Sequence, residues 1–115
     1  MENKQQLADL LEALTDFRDK RDWKVFHTPK NLALSVSIES SEILELFQWM
    51  SEPEVETALE DPEFKERLGS EIADTLIYLT LLAGATGIDP LEEAFKKVAI
   101  NEGRFPTSPN AVSES

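Results

Sequence analysis

The sequence predicts an all-α fold, a four-helix bundle made of one small domain. Apolar side chains recur at intervals of three and four residues along most of the 115-residue chain, which is the period of an α-helix. Glycine occurs only four times, and no stretch alternates apolar and polar residues as a half-buried strand does. A chain of this length has room for one hydrophobic core. We therefore expect a single helical domain over residues 1–106.

The first helix is predicted from about Lys4 to Lys20. Its large apolar side chains recur at helical spacing and form one stripe: Leu7, Leu10, Leu11, Leu14 and Phe17. The next segment holds Trp23, Phe26 and His27. We interpret it as an aromatic connector between two helices.

The second helix has a clear start signal, because Thr28 can cap it and Pro29 suits its first turn. It is predicted to end near Met50. The acidic segment that follows contains Pro53 and Pro62. We predict a loop there, with room for one short helical turn.

The third helix is predicted from about Glu63 to Ala85, with Gly87 closing it. Residues 72–82 are apolar almost all round the helix. A helix without a polar face is surrounded by protein, and a chain this short cannot surround it alone. We therefore expect a homo-oligomer.

The fourth helix repeats the start signal of the second, with Asp89 as its cap and Pro90 in its first turn. It is predicted to end near Glu102. Residues 107–115 are rich in serine, proline and asparagine, which predicts a disordered tail.

The charge balance limits the possible partners. Lys and Arg number 11 and Asp and Glu 23, for a formal net charge of −12. Such a chain is a poor generic binder of nucleic acid polymers or anionic membranes, since both are negative. An anionic ligand would need a divalent cation to offset the repulsion.

Other broad properties are also bounded by the sequence. Cysteine is absent, which excludes disulfides, a thiol nucleophile and sulfur-ligated metals. The first 15 residues lack the apolar segment of an export signal, and no apolar stretch approaches the roughly 20 residues of a membrane span. We expect a cytoplasmic protein.

Two pairs of acids carry the main chemical signal. Glu39 and Glu42 are three residues apart, as are Glu71 and Asp74, so each pair projects from one helix face. Glu39 and Glu71 fall within the apolar arcs of their helices, where an unpaired carboxylate is costly. Facing each other, the pairs could hold a hard cation, Mg²⁺ or Mn²⁺. The alternative is a pair of solvated acidic faces.

Two further groups have both a functional and a structural interpretation. Lys97, Asn101 and Arg104 share one face of the fourth helix and could bind phosphate oxygens, or could simply complement the negative end of that helix. Aromatic residues at both ends of the second helix could stack on a base or pack in the core: Trp23, Phe26, Phe47 and Trp49.

Together these stretches resemble the MazG-like all-α nucleoside triphosphate pyrophosphohydrolases, and among them the dCTP pyrophosphatase branch. The resemblance covers about residues 7–106. It is carried by Arg21-Asp22-Trp23, Phe26-His27, Pro29-Lys30-Asn31-Leu32, Glu39-x-x-Glu42, Glu45-Leu46-Phe47-Gln48-Trp49, Glu71-x-x-Asp74, Leu76-Ile77-Tyr78-Leu79 and Lys97-x-x-x-Asn101-x-x-Arg104-Phe105-Pro106.

The resemblance implies a bundle of the MazG-like type that assembles as a homotetramer or homodimer. It implies Mg²⁺-dependent hydrolysis of a nucleoside triphosphate, dCTP or a modified dCTP, to the monophosphate and pyrophosphate, with Mn²⁺ as a possible substitute. The implied metal ligands and catalytic residues are Glu39, Glu42, Glu71 and Asp74. The implied substrate contacts are Trp23, His27, Lys30, Asn31, Trp49, Tyr78, Lys97, Asn101 and Arg104.

The chain departs from the family pattern at two positions. Many relatives have a third acid directly before the first motif glutamate, where this chain has Ile38. A histidine of the dCTPase-like branch corresponds to Leu14. Two alternatives therefore stay open: a related pyrophosphatase acting on dUTP or another nucleotide, and a non-catalytic helical oligomerisation module.

Overall fold

A computed structural model describes residues 6–105 and residue 107, and it confirms the all-α prediction. Within these residues there are α-helices and one 3-10 turn but no strand. In chain order the elements are α1 (Leu7–Asp19), the 3-10 turn (Lys24–Phe26), α2 (Pro29–Phe47), α3 (Glu52–Ala58), α4 (Pro62–Thr86) and α5 (Pro90–Arg104).

The predicted start and stop signals act as the sequence indicated. The Thr28 side chain accepts a hydrogen bond from the Asn31 backbone N–H at 3.2 Å, at the start of α2. Asp89 accepts two backbone hydrogen bonds at the start of α5. Gly87 ends α4 with φ of 71°, in the left-handed region that glycine adopts without strain.

Between the second and third predicted helices, the prediction of a loop with one short helical turn underestimated the helical content. This segment contains α3, which begins with a reciprocal cap: Ser51 N–H donates to the Glu54 carboxylate at 2.8 Å, and Glu54 N–H donates to Ser51 Oγ at 3.3 Å. Pro53 lies in the first turn of α3, where its missing N–H breaks no helical hydrogen bond. The described part of the chain thus has one more α-helix than predicted.

Several predicted boundaries move by a few residues. The second predicted helix ends at Phe47 rather than Met50, and the fourth extends to Arg104. Residues 1–5, 106 and 108–115 lie outside the described residues. The predicted helix start at Lys4 and nearly all of the predicted tail at 107–115 therefore fall outside them.

The body of the fold is α4 packed along α2 on one side and against α1 on another. Among the described residues, the buried apolar ones are Leu32, Phe64, Leu81 and Ala83. Phe47 and Phe64 meet edge to face, with ring centroids 5.7 Å apart. Where α1 crosses α4, the absence of a side chain at Gly84 lets Leu11 approach closely, because a Cβ there would lie 2.8 Å from Leu11 Cδ1.

Much apolar surface has no cover in a single chain. No residue of α5 is buried. On α4, the side chains of Ile72, Leu76 and Leu79 are all at least 43% exposed, although the sequence places them on a helix that is apolar nearly all round. The predicted homo-oligomer would cover this surface and stays a prediction.

Contrary to the prediction that no stretch is long and apolar enough for a membrane span, α4 meets this requirement by length and composition alone. The core helix of a soluble bundle has the same profile. Glu71 and Asp74 lie in the middle of α4, where a charged side chain in hydrocarbon is costly. Its packing against α2 and α1 favours the interpretation of α4 as a core helix.

Candidate functional site

The acidic motifs of α2 and α4 meet where these helices pack together. One carboxylate oxygen each from Glu39, Glu42 and Glu71 lies within 4.8 Å of the other two. All three side chains are half-buried. Asp74 lies close enough for its charge to act on Glu39 and Glu71, although it is outside this closest group. The structure therefore brings together the four acids that the sequence singled out.

The crowding of carboxylates changes how readily they ionise. Burial, followed by the negative charge of Glu42, raises the pKa of Glu39. A hydrogen bond with Glu42 is the largest cause that raises the pKa of Glu71, followed by burial and by the charges of Glu42 and Asp74. Ionising the whole cluster is therefore unfavourable unless a positive charge is present.

The donor set fits a hard divalent cation. Glu39 Oε1 and Glu71 Oε1 are buried and have no hydrogen-bond partner within the described residues. Mg²⁺, Mn²⁺ and Ca²⁺ prefer oxygen ligands at about 2.0–2.6 Å, so one ion can bridge oxygens with this separation. A cation would provide the missing partner for both atoms and would remove the repulsion among the carboxylates.

A polar hollow of about 350 Å³ opens beside the acids. Its lining includes Glu42, Glu71, Glu45, Ser70 and Arg67. Arg67 was not singled out from the sequence. Its position one helical turn before Glu71 could have indicated it, because residues four apart share a helix face.

A second, mostly apolar cavity of about 400 Å³ adjoins the acids through Asp74. It brings together four of the residues singled out from the sequence: Trp23, His27, Asp74 and Tyr78. Two aromatic contacts hold the connector against α1. The Phe17 ring lies edge to face with Trp23, with ring centroids 5.8 Å apart, and the Arg21 guanidinium lies 3.6 Å from the Phe17 centroid. The cavity can accept a flat ring against Trp23 and Tyr78.

The imidazole of His27 lines this cavity. Burial, helped by the positive charge of Arg18, lowers the pKa of His27. Its Nδ1 atom is buried and has no partner in the described part of the chain. The imidazole therefore offers an unused hydrogen-bonding atom beside Trp23 and Asp74.

Other residues from the sequence analysis lie elsewhere. Trp49 follows α2 and is 88% exposed. Asn31 and Lys30 are exposed at the start of α2, and the Asn31 side chain donates to the Phe26 carbonyl at 3.2 Å. This hydrogen bond gives Asn31 a structural role in holding the connector.

The three polar residues of α5 are not joined to the acids within one chain. Across residues 6–105, no hydrogen bond or ion pair links Lys97, Asn101 or Arg104 to the acid cluster. The Arg104 guanidinium instead lies 5.2 Å from the ring of the neighbouring Phe105.

Arg18 also lines the aromatic cavity, and it was not predicted as a site residue. It follows Leu7, Leu11 and Leu14 at the same three- and four-residue spacing. A charged residue at an apolar position of an amphipathic stripe was the available signal.

Comparison with known proteins agrees with this geometry. The sequence profile of the MazG-like family matches residues 34–114. The mouse and human proteins named dCTP pyrophosphatase 1 are each 36% identical to this chain over 100 residues, which is 87% of this chain. The chain spans 59% of the length of each of these relatives.

A solved structure is also similar over nearly its whole length. A pyrophosphatase from Archaeoglobus fulgidus superimposes with a TM-score of 0.83 and 42% sequence identity. The match covers 93% of this chain and 98% of the archaeal chain. The sequence profile, the relatives and the shared fold agree, and the chain belongs to the MazG-like family.

Proposed function

We propose that this protein is a Mg²⁺-dependent nucleoside triphosphate pyrophosphohydrolase, with dCTP or a modified dCTP as its substrate. The observation that carries the proposal is the position of Asp74. Its charge acts on the carboxylates of the acid cluster, and its side chain lines the aromatic cavity. A triphosphate at the acids and a base in the cavity could thus belong to one bound nucleotide.

The acids have two roles in this proposal. Glu39, Glu42, Glu71 and Asp74 would hold the cation, and Mn²⁺ could replace Mg²⁺ because both prefer oxygen ligands. The bound cation would supply Lewis-acid polarisation of the phosphates and a lower pKa for an attacking water. Glu39 or Glu42 could accept the proton of that water during attack on the α-phosphorus.

The aromatic cavity would hold the nucleoside. Trp23 and Tyr78 offer ring faces for stacking, and the free Nδ1 of His27 can hydrogen-bond to the base or sugar. The names of the mouse and human proteins support a pyrophosphatase that acts on a pyrimidine nucleotide, and the name of the archaeal protein supports a pyrophosphatase.

The phosphate-binding residues are proposed to come from a second copy of the chain. Lys97, Asn101 and Arg104 carry the donors that pyrophosphate needs, but within the described residues they are not joined to the acids. The uncovered apolar faces of α4 and α5 favour self-association. We propose a homotetramer or homodimer in which α5 of one copy, and the exposed Trp49, complete the site of another.

The non-catalytic alternative explains the acid cluster less well. A module that needed only stable packing would gain nothing from carboxylates whose ionisation is disfavoured in the fold. Binding of a cation and an anionic substrate gives these residues a use.

Pyrophosphate release tests the proposal. We expect purified protein to release pyrophosphate from dCTP and 5-substituted dCTP with Mg²⁺, and to lose this activity in EDTA. Glu71→Gln and Asp74→Asn should each lower kcat by about 100-fold or more, because each removes a cation ligand. Glu56→Gln makes the same charge change at an exposed site on α3 and should leave the rate unchanged.

Two outcomes would refute the proposal. One is the absence of pyrophosphate release from every canonical and modified nucleotide tested with Mg²⁺ or Mn²⁺. The other is full activity of the wild type in EDTA together with full activity of Glu71→Gln.

A further inference from the structure

We propose that Arg18 binds the nucleobase in the aromatic cavity and favours bases with two adjacent hydrogen-bond acceptors, as cytosine and guanine have. This inference rests on the proposed function, since it takes the cavity to be the base pocket. It adds a specificity-determining residue to that pocket.

The position of Arg18 brings its charge into the cavity wall. It lies in the last turn of α1 and lines the same cavity as Trp23, His27 and Tyr78. Its side chain is only 18% exposed. An arginine kept from solvent to this degree needs hydrogen-bond partners to offset the loss of hydration.

Only part of this need is met by the protein. Arg18 Nε donates to Asp19 Oδ1 at 2.9 Å. Throughout the described residues, the two terminal nitrogens of Arg18 have no hydrogen-bond partner. The outer edge of the guanidinium, with its two parallel N–H groups, is therefore available to a ligand.

His27 gives an independent sign that the cavity binds a polar ligand. Its buried Nδ1 also has no partner among the described residues. The influence of Arg18 on the titration of His27 places the two side chains close together. A ligand that satisfied both groups would lie between them, against Trp23.

The chemistry of the bases then determines the preference. Two parallel N–H groups match two neighbouring acceptors. Cytosine offers O2 beside N3, and guanine offers O6 beside N7. In uracil and thymine a donor N3–H separates the carbonyls. In adenine the amino group lies beside N1 and N7, and C2–H separates N1 from N3. Arg18 should therefore discriminate against uracil, thymine and adenine.

The test compares kcat/KM for dCTP, dGTP, dUTP and dATP in wild type, Arg18→Met and Arg18→Lys. We expect Arg18→Met to raise KM for dCTP, with a smaller effect on kcat. The ratio of kcat/KM for dCTP to that for dUTP should fall by about 10- to 100-fold. Arg18→Lys keeps the charge but lacks the planar pair of donors, so it should lose most of the same preference.

Lys20→Met is the matched control. It removes one positive charge near the same end of α1, where Lys20 pairs with Asp16 in solvent, and it should leave the dCTP to dUTP ratio unchanged. Circular dichroism of each variant checks the fold. If Arg18→Met does not fold, the ratio of kcat/KM for dCTP to that for dUTP in Arg18→Lys alone decides whether Arg18 sets the preference.

An unchanged ratio in a folded Arg18 variant would overturn the proposal. If wild type releases no pyrophosphate, the proposed function fails by itself, and calorimetric binding of dCMP and dUMP then decides the role of Arg18. In that case, tighter binding of dCMP that disappears in Arg18→Lys supports the role, and equal binding of both nucleotides refutes it.

Discussion

At the scale of single residues, the acid cluster determines how stability depends on pH without a cation. The pKa values of Glu39 and Glu71 are raised in the fold, so the folded state holds these protons more tightly than the unfolded state. Their contribution is fully present below the ordinary glutamate pKa and is lost as pH rises through the raised values.

We therefore expect the melting temperature in EDTA to fall as pH rises from about 5 to about 7.5. Glu71→Gln should flatten this dependence, and Mg²⁺ should raise the melting temperature most at the higher pH. Differential scanning fluorimetry across this range measures both effects. Identical slopes for wild type and Glu71→Gln would contradict the expectation.

His27 should act in the opposite direction. Its pKa is lowered in the fold, so its contribution is present above the ordinary histidine pKa and is lost as pH falls below that value. This loss is absent in His27→Gln. Its melting temperature should therefore rise more than that of wild type on acidification below about pH 6.5. The same fluorimetry tests this, and an unchanged slope would show that His27 is not titrating as described.

The sequence located the acids but not all of the side chains around them. Glu39, Glu42, Glu71 and Asp74 were predictable because the helical period alone fixes which residues share a face. The partner of each face depends on how helices pack, which no local pattern encodes. Helical spacing was an available signal for Arg18 and Arg67, but it could not show which cavity each side chain lines. Asn31 turned out to brace the connector.

At the scale of helices, two glycines of α4 offer a controlled comparison. Gly69 has open space where a Cβ would be, whereas a Cβ at Gly84 would lie 2.8 Å from Leu11 Cδ1. Gly69→Ala should stabilise the protein by about 0.5–1 kcal/mol through helix propensity. Gly84→Ala should stabilise it less or destabilise it, because Leu11 must move.

Urea unfolding of both variants measures the difference. The double variant Gly84→Ala/Leu11→Ala should be more stable than Leu11→Ala alone, because alanine then improves helix propensity without the close contact with Leu11. Equal stabilisation by the two glycine substitutions would show that α1 does not pack tightly at Gly84.

The helix α3, which was predicted as a loop with one short helical turn, shows where local signals compete. Pro53 and Pro62 belong to the segment predicted as a loop, yet each lies in the first turn of a helix, where proline is tolerated. Ser51 followed by Glu54 was the stronger signal, since together they form a capping box. The helix start signals at Thr28 and Asp89 and the stop signal at Gly87 were predictable, because no competing sequence signal lies near them.

At the scale of the whole molecule, the uncovered face of α4 predicts self-association. Ile72 is 50% exposed in a single chain. Ile72→Asp should shift the protein to a smaller species, because an unpaired charge in an apolar interface is costly. Size-exclusion chromatography with light scattering measures the mass, and Thr57→Asp on α3 is the control. A monomeric wild type would contradict this prediction.

The lack of buried residues on α5 also links catalytic rate to protein concentration. If Lys97, Asn101 and Arg104 act in another copy's site, separated chains have no complete site. Specific activity should then fall on dilution below the dissociation constant of the assembly and become constant above it, as mass action requires. The amount of protein in a cell would thus control the fraction of chains that have a complete active site, in addition to the number of chains.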